Sequence, residues 1–129
     1  LQLIRGEGGV TVIDDSYNSN PVGAMEALAV LGSFGTGQRI LVTPGMVELG
    51  SLEAELNAQL GARAAEVCDH VVLVGLERAK PLLAGLQRKG FASERVSVVA
   101  DLPAATEALK RLVTAGDTVL FENDLPDLY

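Results

Sequence analysis

The sequence predicts an α/β domain with a mainly parallel sheet, helices on both faces and a β-hairpin at its N-terminal end. Three observations point there. Short unbroken apolar runs recur along the chain, at Ile40-Leu41-Val42 and Val71-Val72-Leu73-Val74 above all. Between them lie stretches with apolar residues at three- and four-residue spacing, and glycine or proline punctuates most junctions. Uninterrupted β-branched runs separated by amphipathic helices are the pattern of a sheet buried on both sides.

Residues 1–5 and 10–14 read as short strands joined across Gly6, Gly8 and Gly9, which predicts the hairpin. Asn20-Pro21 opens a helix, with Asn suited to the cap and Pro to the first helical position. Ala24, Met25, Leu28 and Leu31 form its apolar face. A strand follows over 38–43 and is broken by Pro44-Gly45. Ser51 is the expected cap of the next helix, with Glu53 and Glu55 near its positive end. Its apolar stripe is Leu52, Leu56, Leu60, Ala64 and Val67. The strand over 71–74 ends at Gly75. A helix over 77–89 carries Pro81 near its start. A strand over 96–100, a helix over 101–114 with Ala105, Leu109 and Leu112 inward and Gly116 closing it, and a strand over 118–121 complete a Rossmann-like alternation.

Composition narrows the function classes. The 129 residues are 48% hydrophobic but only 4% aromatic, so the core rests on Val, Leu, Ile and Ala. A net charge of −7 with dispersed Lys and Arg argues against nucleic acid or an anionic membrane as partner. No apolar stretch reaches membrane-span length. The single cysteine, Cys68, excludes an intrachain disulfide and fits a reducing cytoplasm, the expected location. It reads as a buried structural thiol, and the single histidine, His70, as a surface or strand-edge residue. No Cys or His spacing suits a metal. The chain begins at Leu1 and enters a strand at once, so it is expected to be a piece of a longer protein.

Ligands of open parallel sheets gather at the carboxyl ends of the strands. Three polar segments leave strands there: Asp14-Asp15-Ser16-Tyr17-Asn18-Ser19-Asn20-Pro21, Thr43-Pro44-Gly45-Met46-Val47-Glu48-Leu49-Gly50, and Glu122-Asn123-Asp124-Leu125-Pro126-Asp127. In the first, side-chain donors and the N–H groups of a helix N-terminus suit a phosphate, and Tyr17 can stack on a base. Ordinary turn chemistry accounts for the same residues, with Asn20 as cap and Asp15 and Asn18 bracing the loop. Asp14 and Asp15 are adjacent in a strand and so point to opposite faces, which rules out a catalytic carboxylate pair. Glu48 reads as either a functional loop residue or a helix-entry cap. Neither GxGxxG nor GxxxxGK[ST] is present.

The string Val12-Ile13-Asp14-Asp15-Ser16-Tyr17-Asn18-Ser19-Asn20-Pro21, with Met46-Val47-Glu48-Leu49-Gly50 at the matching distance, resembles the C-terminal domain of the Mur ligases. The likeness continues through Arg39-Ile40-Leu41-Val42, Gly61 and Val71–Gly75. It implies that residues 1–129 are the last domain of a three-domain ligase. A first domain binds the UDP-linked substrate, and a central one carries the phosphate loop and Mg2+ ligands. In such ligases ATP phosphorylates a carboxylate, an amine attacks the acyl phosphate and an amide forms. The C-terminal domain closes over ATP and helps to hold the amine or dipeptide, and by itself it is expected to be inactive. On this basis Asp15, Tyr17, Asn18 and Asn20 are the expected nucleotide-binding residues. Glu48, Asn57, Asn123 and Asp124 are the expected contacts for the amine substrate. Catalytic and metal-ligating residues are expected elsewhere in the full protein.

Three departures bear on substrate identity. Pro44-Gly45 stands where the family has Gly-Asp, Asn57 aligns with a family His, and Glu122–Asp127 replaces a basic Lys-Gly-Ser-Arg-type segment. An ammonium group would favour such carboxylates, whereas a carboxylate-bearing dipeptide would call for Lys or Arg. A solvated tail is the competing reading of this segment. Alternatives to the leading reading are a related ligase with a different acceptor and a nucleotide-binding module without catalysis.

Overall fold

The computed structural model describes residues 1–16 and 20–122. Among these, six strands form one sheet: β1 (Gln2–Arg5), β2 (Thr11–Asp15), β3 (Arg39–Thr43), β4 (His70–Val74), β5 (Val96–Val99) and β6 (Thr118–Glu122). Their order is β1-β2-β6-β3-β4-β5. β1 pairs antiparallel with β2, and every other neighbouring pair is parallel. The helices are α1 (Pro21–Gly32), α2 (Glu53–Val67), α3 (Ala79–Arg88) and α4 (Leu102–Leu112). No described helix is long and apolar enough to cross a membrane.

Side-chain alternation along the strands divides the core in two. Ile13, Leu41, Val71, Leu73 and Leu120 face α1, α2 and α3. Ile40, Val42, Val72, Val74 and Val119 face α4 through Ala105. The expected hairpin, the helices on both faces and the buried runs at β3 and β4 are all present. The last strand inserts between β2 and β3, so the N-terminal hairpin lies at one edge and β5 at the other.

Several local expectations are corrected. Ser51 does not cap α2: it lies in a 3-10 turn over Gly50–Leu52, and Leu52 occupies the cap position without a side-chain bond. Leu52 is accordingly exposed rather than part of the buried stripe. Glu53 and Glu55 do lie in the first turn, where they offset the helix dipole in place of a cap. Asp101 is the cap of α4, accepting from the Ala104 N–H at 3.0 Å. That helix ends at Leu112, and Gly116 (φ 94°) serves the turn into β6 instead. His70 is buried, as the first residue of β4, because β3 and β5 flank it on both sides; its Nε2 lies 3.0 Å from Ser97 Oγ. Burial, and secondarily the nearby Arg95 charge, push its pKa down. Cys68 follows α2 as a buried residue, and burial pushes its thiol up to about 12.

Candidate functional site

The carboxyl ends of β2, β3, β4 and β6 share one edge of the sheet, where the chain leaves β2 at Ser16 and leaves β3 for the loop over 44–49. At β2, the Asp14 carboxylate accepts from both the Ser16 N–H (3.0 Å) and the Ser16 hydroxyl (2.6 Å), which turns the chain out of the strand. Asp15 is buried beside Glu122, its register partner on β6, and lies 3.4 Å from the Leu1 amino group. Tyr17, Asn18, Asn123 and Asp124 lie outside the described residues.

Asn20 caps α1 through Oδ1, which accepts from the N–H groups of Val22 (2.8 Å) and Gly23 (3.4 Å). Pro21 has no N–H, and the Ala24 N–H donates to the Asn20 carbonyl at 2.9 Å. The opening turn of α1 is thus satisfied internally, contrary to the expectation that its N–H groups are open to a phosphate. A nucleotide at this corner would be met by side chains.

The β3–α2 loop has a less ordinary backbone. Gly45 is left-handed at φ 83°, and a Cβ there would sit 2.9 Å from Asn57 Oδ1 and 3.0 Å from Leu82. Glu48 is also left-handed, at φ 62°, and is the one non-glycine residue in that region among those described. Left-handed backbone at a residue with a Cβ costs energy, so the surrounding loop must hold it. Glu48 is exposed and is not the cap of α2.

Asn57 is the residue that ties down this loop. From α2 its Oδ1 accepts the Met46 N–H at 2.8 Å, while its Nδ2 donates to the carbonyls of Met46 (2.8 Å) and Glu53 (2.9 Å). Its side chain is buried and matches the Met46 backbone as a neighbouring strand would. Met46 in turn separates two recesses at the carboxyl edge, each of about 220 Å³. One is bounded by Pro21, Val22 and Met25 of α1 and by Leu56 and Gln59 of α2. The other lies between the β3–α2 loop and the start of α3, and its walls include Asn57, Glu77, Arg78 and Pro81. Sequence reasoning missed Arg78. Its signal was position alone, just after Gly75 at the carboxyl end of a central strand.

His70, Cys68 and Asp117 stand at the opposite end of the sheet. The length of β4 separates His70 from the carboxyl edge by roughly 13 Å, at ~3.3 Å per residue. Among the described residues, no group of three or more His, Cys, Asp or Glu side chains gathers to hold a metal ion.

A family model for the Mur ligase, glutamate ligase domain, matches residues 1–122. The chain belongs to this family. This Mur ligase domain is 31% identical over 124 residues to the UDP-N-acetylmuramoyl-tripeptide–D-alanyl-D-alanine ligase of Bacillus subtilis, covering 95% of the chain and 27% of that protein. It is 35% identical over 124 residues to the UDP-N-acetylmuramoylalanine–D-glutamate ligase of Rubrobacter xylanophilus, covering 93% and 24% respectively. Among solved structures, the MurF ligase of Thermotoga maritima in complex with ADP matches with a TM-score of 0.75 and 27% identity, over 92% of the chain and 26% of that one. MurF from Acinetobacter baumannii matches over the whole chain and 28% of its own, with a TM-score of 0.77 and 25% identity. The Mur ligase domain therefore spans about a quarter of the length of these relatives.

Proposed function

We propose that this domain is the C-terminal part of an ATP-dependent ligase of peptidoglycan precursor synthesis. In this reading it closes over the nucleotide and presents an amine acceptor to an activated carboxylate on a UDP-linked substrate. The observation that carries the reading is the shared wall at Met46: two recesses side by side at the carboxyl edge suit two ligands that must meet. The recess against α1 is assigned to the nucleotide, and Asp15, Tyr17, Asn18 and Asn20 are its proposed contacts on the strength of the family resemblance. The recess beside α3 is assigned to the acceptor, and Glu48, Asn123 and Asp124 are its proposed contacts. Asn57 acts there through Met46, whose backbone it holds.

The internally satisfied start of α1 supports a division of labour in which a preceding central domain binds the phosphates. No metal step is assigned to these residues, and Mg2+ with the ATP phosphates belongs to that central domain in this reading. The chain's own residues orient the nucleotide, exclude water on closure and fix the acceptor amine near the reacting carboxylate. D-alanyl-D-alanine is the favoured acceptor, because the long motif at β2 and two MurF structures point the same way. The 35% identity to a D-glutamate ligase favours D-glutamate as the second reading.

The test uses the full-length ligase with ATP, a UDP-linked carboxylate substrate and each acceptor in turn. Phosphate release that requires D-alanyl-D-alanine supports the first reading, and dependence on D-glutamate the second. No dependence on either overturns both acceptor assignments, and no phosphate release with any amino-acid or dipeptide acceptor overturns the ligase reading. In the same assay Asn18→Ala is expected to lower turnover by roughly 10- to 100-fold, about 1.4–2.7 kcal/mol of transition-state stabilisation. Unchanged kinetics would assign the 15–20 loop to turn structure alone.

A further inference from the structure

We infer that His70 makes the β5 edge of the sheet acid-labile: when its imidazole takes up a proton, the start of β5 comes away from β4 while the centre of the sheet stays paired. The device sits at the end of the sheet away from the two recesses and does not depend on the ligase reading.

His70 opens β4, a strand buried along its whole length. Its register partner on β3 is Ile40, so the imidazole shares the α4 face with Ile40 and Val72. On the other side, Ser97 of β5 pairs with Val72, and its hydroxyl oxygen lies 3.0 Å from His70 Nε2. Ser97 is the one hydrogen-bond partner of the imidazole among the described residues. One hydroxyl can serve a neutral ring. A protonated ring carries two N–H donors and a full charge, which burial penalises.

The surrounding charges oppose the proton as well. The Arg95 guanidinium is pinned beside the start of β5. Its Nε donates to the Asp69 carbonyl at 2.7 Å, a terminal nitrogen donates to the Cys68 carbonyl at 3.0 Å, and the group lies 4.5 Å from the centre of the Phe91 ring. It is therefore held against moving away from a second cation. The Asp69 carboxylate is already engaged: it accepts the Arg39 N–H at 2.8 Å and lies 3.8 Å from both the Arg39 and the Arg95 side chains. The other charged residues that the packed elements carry toward this end are exposed. Glu94 bonds to Ser93 and Lys110 to Glu107, and Arg111 lies in the last turn of α4. Burial first, and Arg95 second, hold the His70 pKa below its ordinary value.

The neutral imidazole is thus the form the fold accepts. Stability is unaffected well above the unfolded pKa of ~6.5 and falls as pH drops from there toward the depressed folded value. β5 is the element that yields. It has four residues, is paired on the β4 side alone, and holds Ser97 with Arg95 immediately before it. β3, by contrast, is flanked by β6 and β4.

Hydrogen exchange of the full-length protein, followed by mass spectrometry at about pH 7.5 and about pH 5.5 and corrected for the intrinsic pH dependence of exchange, tests this. Protection of residues 96–99 should fall by about three- to tenfold at the lower pH, while protection of residues 39–43 stays the same. In His70→Gln, whose amide can still bond Ser97 but does not titrate, β5 should be equally protected at both pH values. If that variant does not fold, His70→Leu takes its place, since an apolar side chain suits the buried position. Protection of β5 that is independent of pH in the native protein would overturn the inference. So would an equal loss across β3 and β5, or a loss that persists in the variant.

Discussion

At the scale of single residues, a carboxylate with four hydrogen-bond donors lies far from the ligand edge. Asp117 is buried where α4 returns to β6. Its oxygens accept from the Gln38 N–H (2.8 Å), Gln38 Nε2 (3.0 Å), the Thr114 N–H (2.8 Å) and the Thr114 hydroxyl (3.3 Å). Burial by itself would raise its pKa, but these donors outweigh burial and hold it below the ordinary carboxylate range. The folded-state value lies below the unfolded one. The ionised form therefore contributes stability above the unfolded pKa, and that contribution is lost as pH falls through the depressed folded pKa. Asp117→Asn should cost about 1.5–3 kcal/mol at neutral pH. The difference from the native chain should shrink as both are acidified, which urea unfolding at neutral and acidic pH would measure. A gap that stays constant with pH would mean that the site responds to shape and not to charge. Asn57 has the same stabilising role at the functional edge, and its alignment with a family His gave no hint of it. What it holds is a backbone eleven residues away, a pairing that only the folded chain reveals.

Among elements, α2 and α3 make the closest approach. A Cβ on Gly61 would collide with the Leu82 carbonyl, and one on Gly85 with the Ala58 carbonyl. Backbone sits against backbone at both contacts, so neither collision can be relieved by turning a side chain. Gly85→Ala is expected to destabilise the domain by about 3 kcal/mol, the upper end of overpacking costs. Gly35→Ala, at a site with no atom within 4 Å and no positive φ, should stay within about 0.5 kcal/mol. Thermal or urea unfolding of the two variants side by side makes the comparison, and a tolerated Gly85→Ala would show that the helix pair can slide apart. Because Pro81 at the start of α3 and Asn57 on α2 both line the recess beside α3, loosening this pair should also widen it.

For the whole molecule, the sheet collects its loops at one edge and leaves the opposite edge to packing and to clamps such as Asp117. The domain spans about a quarter of the length of its relatives, and no phosphate loop lies within it. Purified alone, it is expected to fold and to form no amide from ATP, a UDP-linked carboxylate substrate and an acceptor. Any ATP binding should be weak, since most of the contacts that would offset the lost freedom of the ligand are missing. Product formation by the isolated domain, followed by mass spectrometry, would contradict this division of the site.

Local pattern was enough to specify much of this protein. Apolar runs gave the strands, three- and four-residue spacing gave the helix faces, and Asn20-Pro21 and Asp101 marked two helix starts, because these effects act between near neighbours in sequence. The motif strings at β2 and β3 carried the family as well. Three features were decided only by tertiary structure. β6 inserts between β2 and β3, a pairing between segments about a hundred residues apart that no local period encodes. The start of α2 moved past Ser51, because the loop held by Asn57, with Gly45 and Glu48 left-handed, enters the helix through a 3-10 turn. And the cleft lined by Asn57 and Arg78 exists only where the ends of β3 and β4 come together, so its charge and shape follow from packing between distant segments and not from any string of residues.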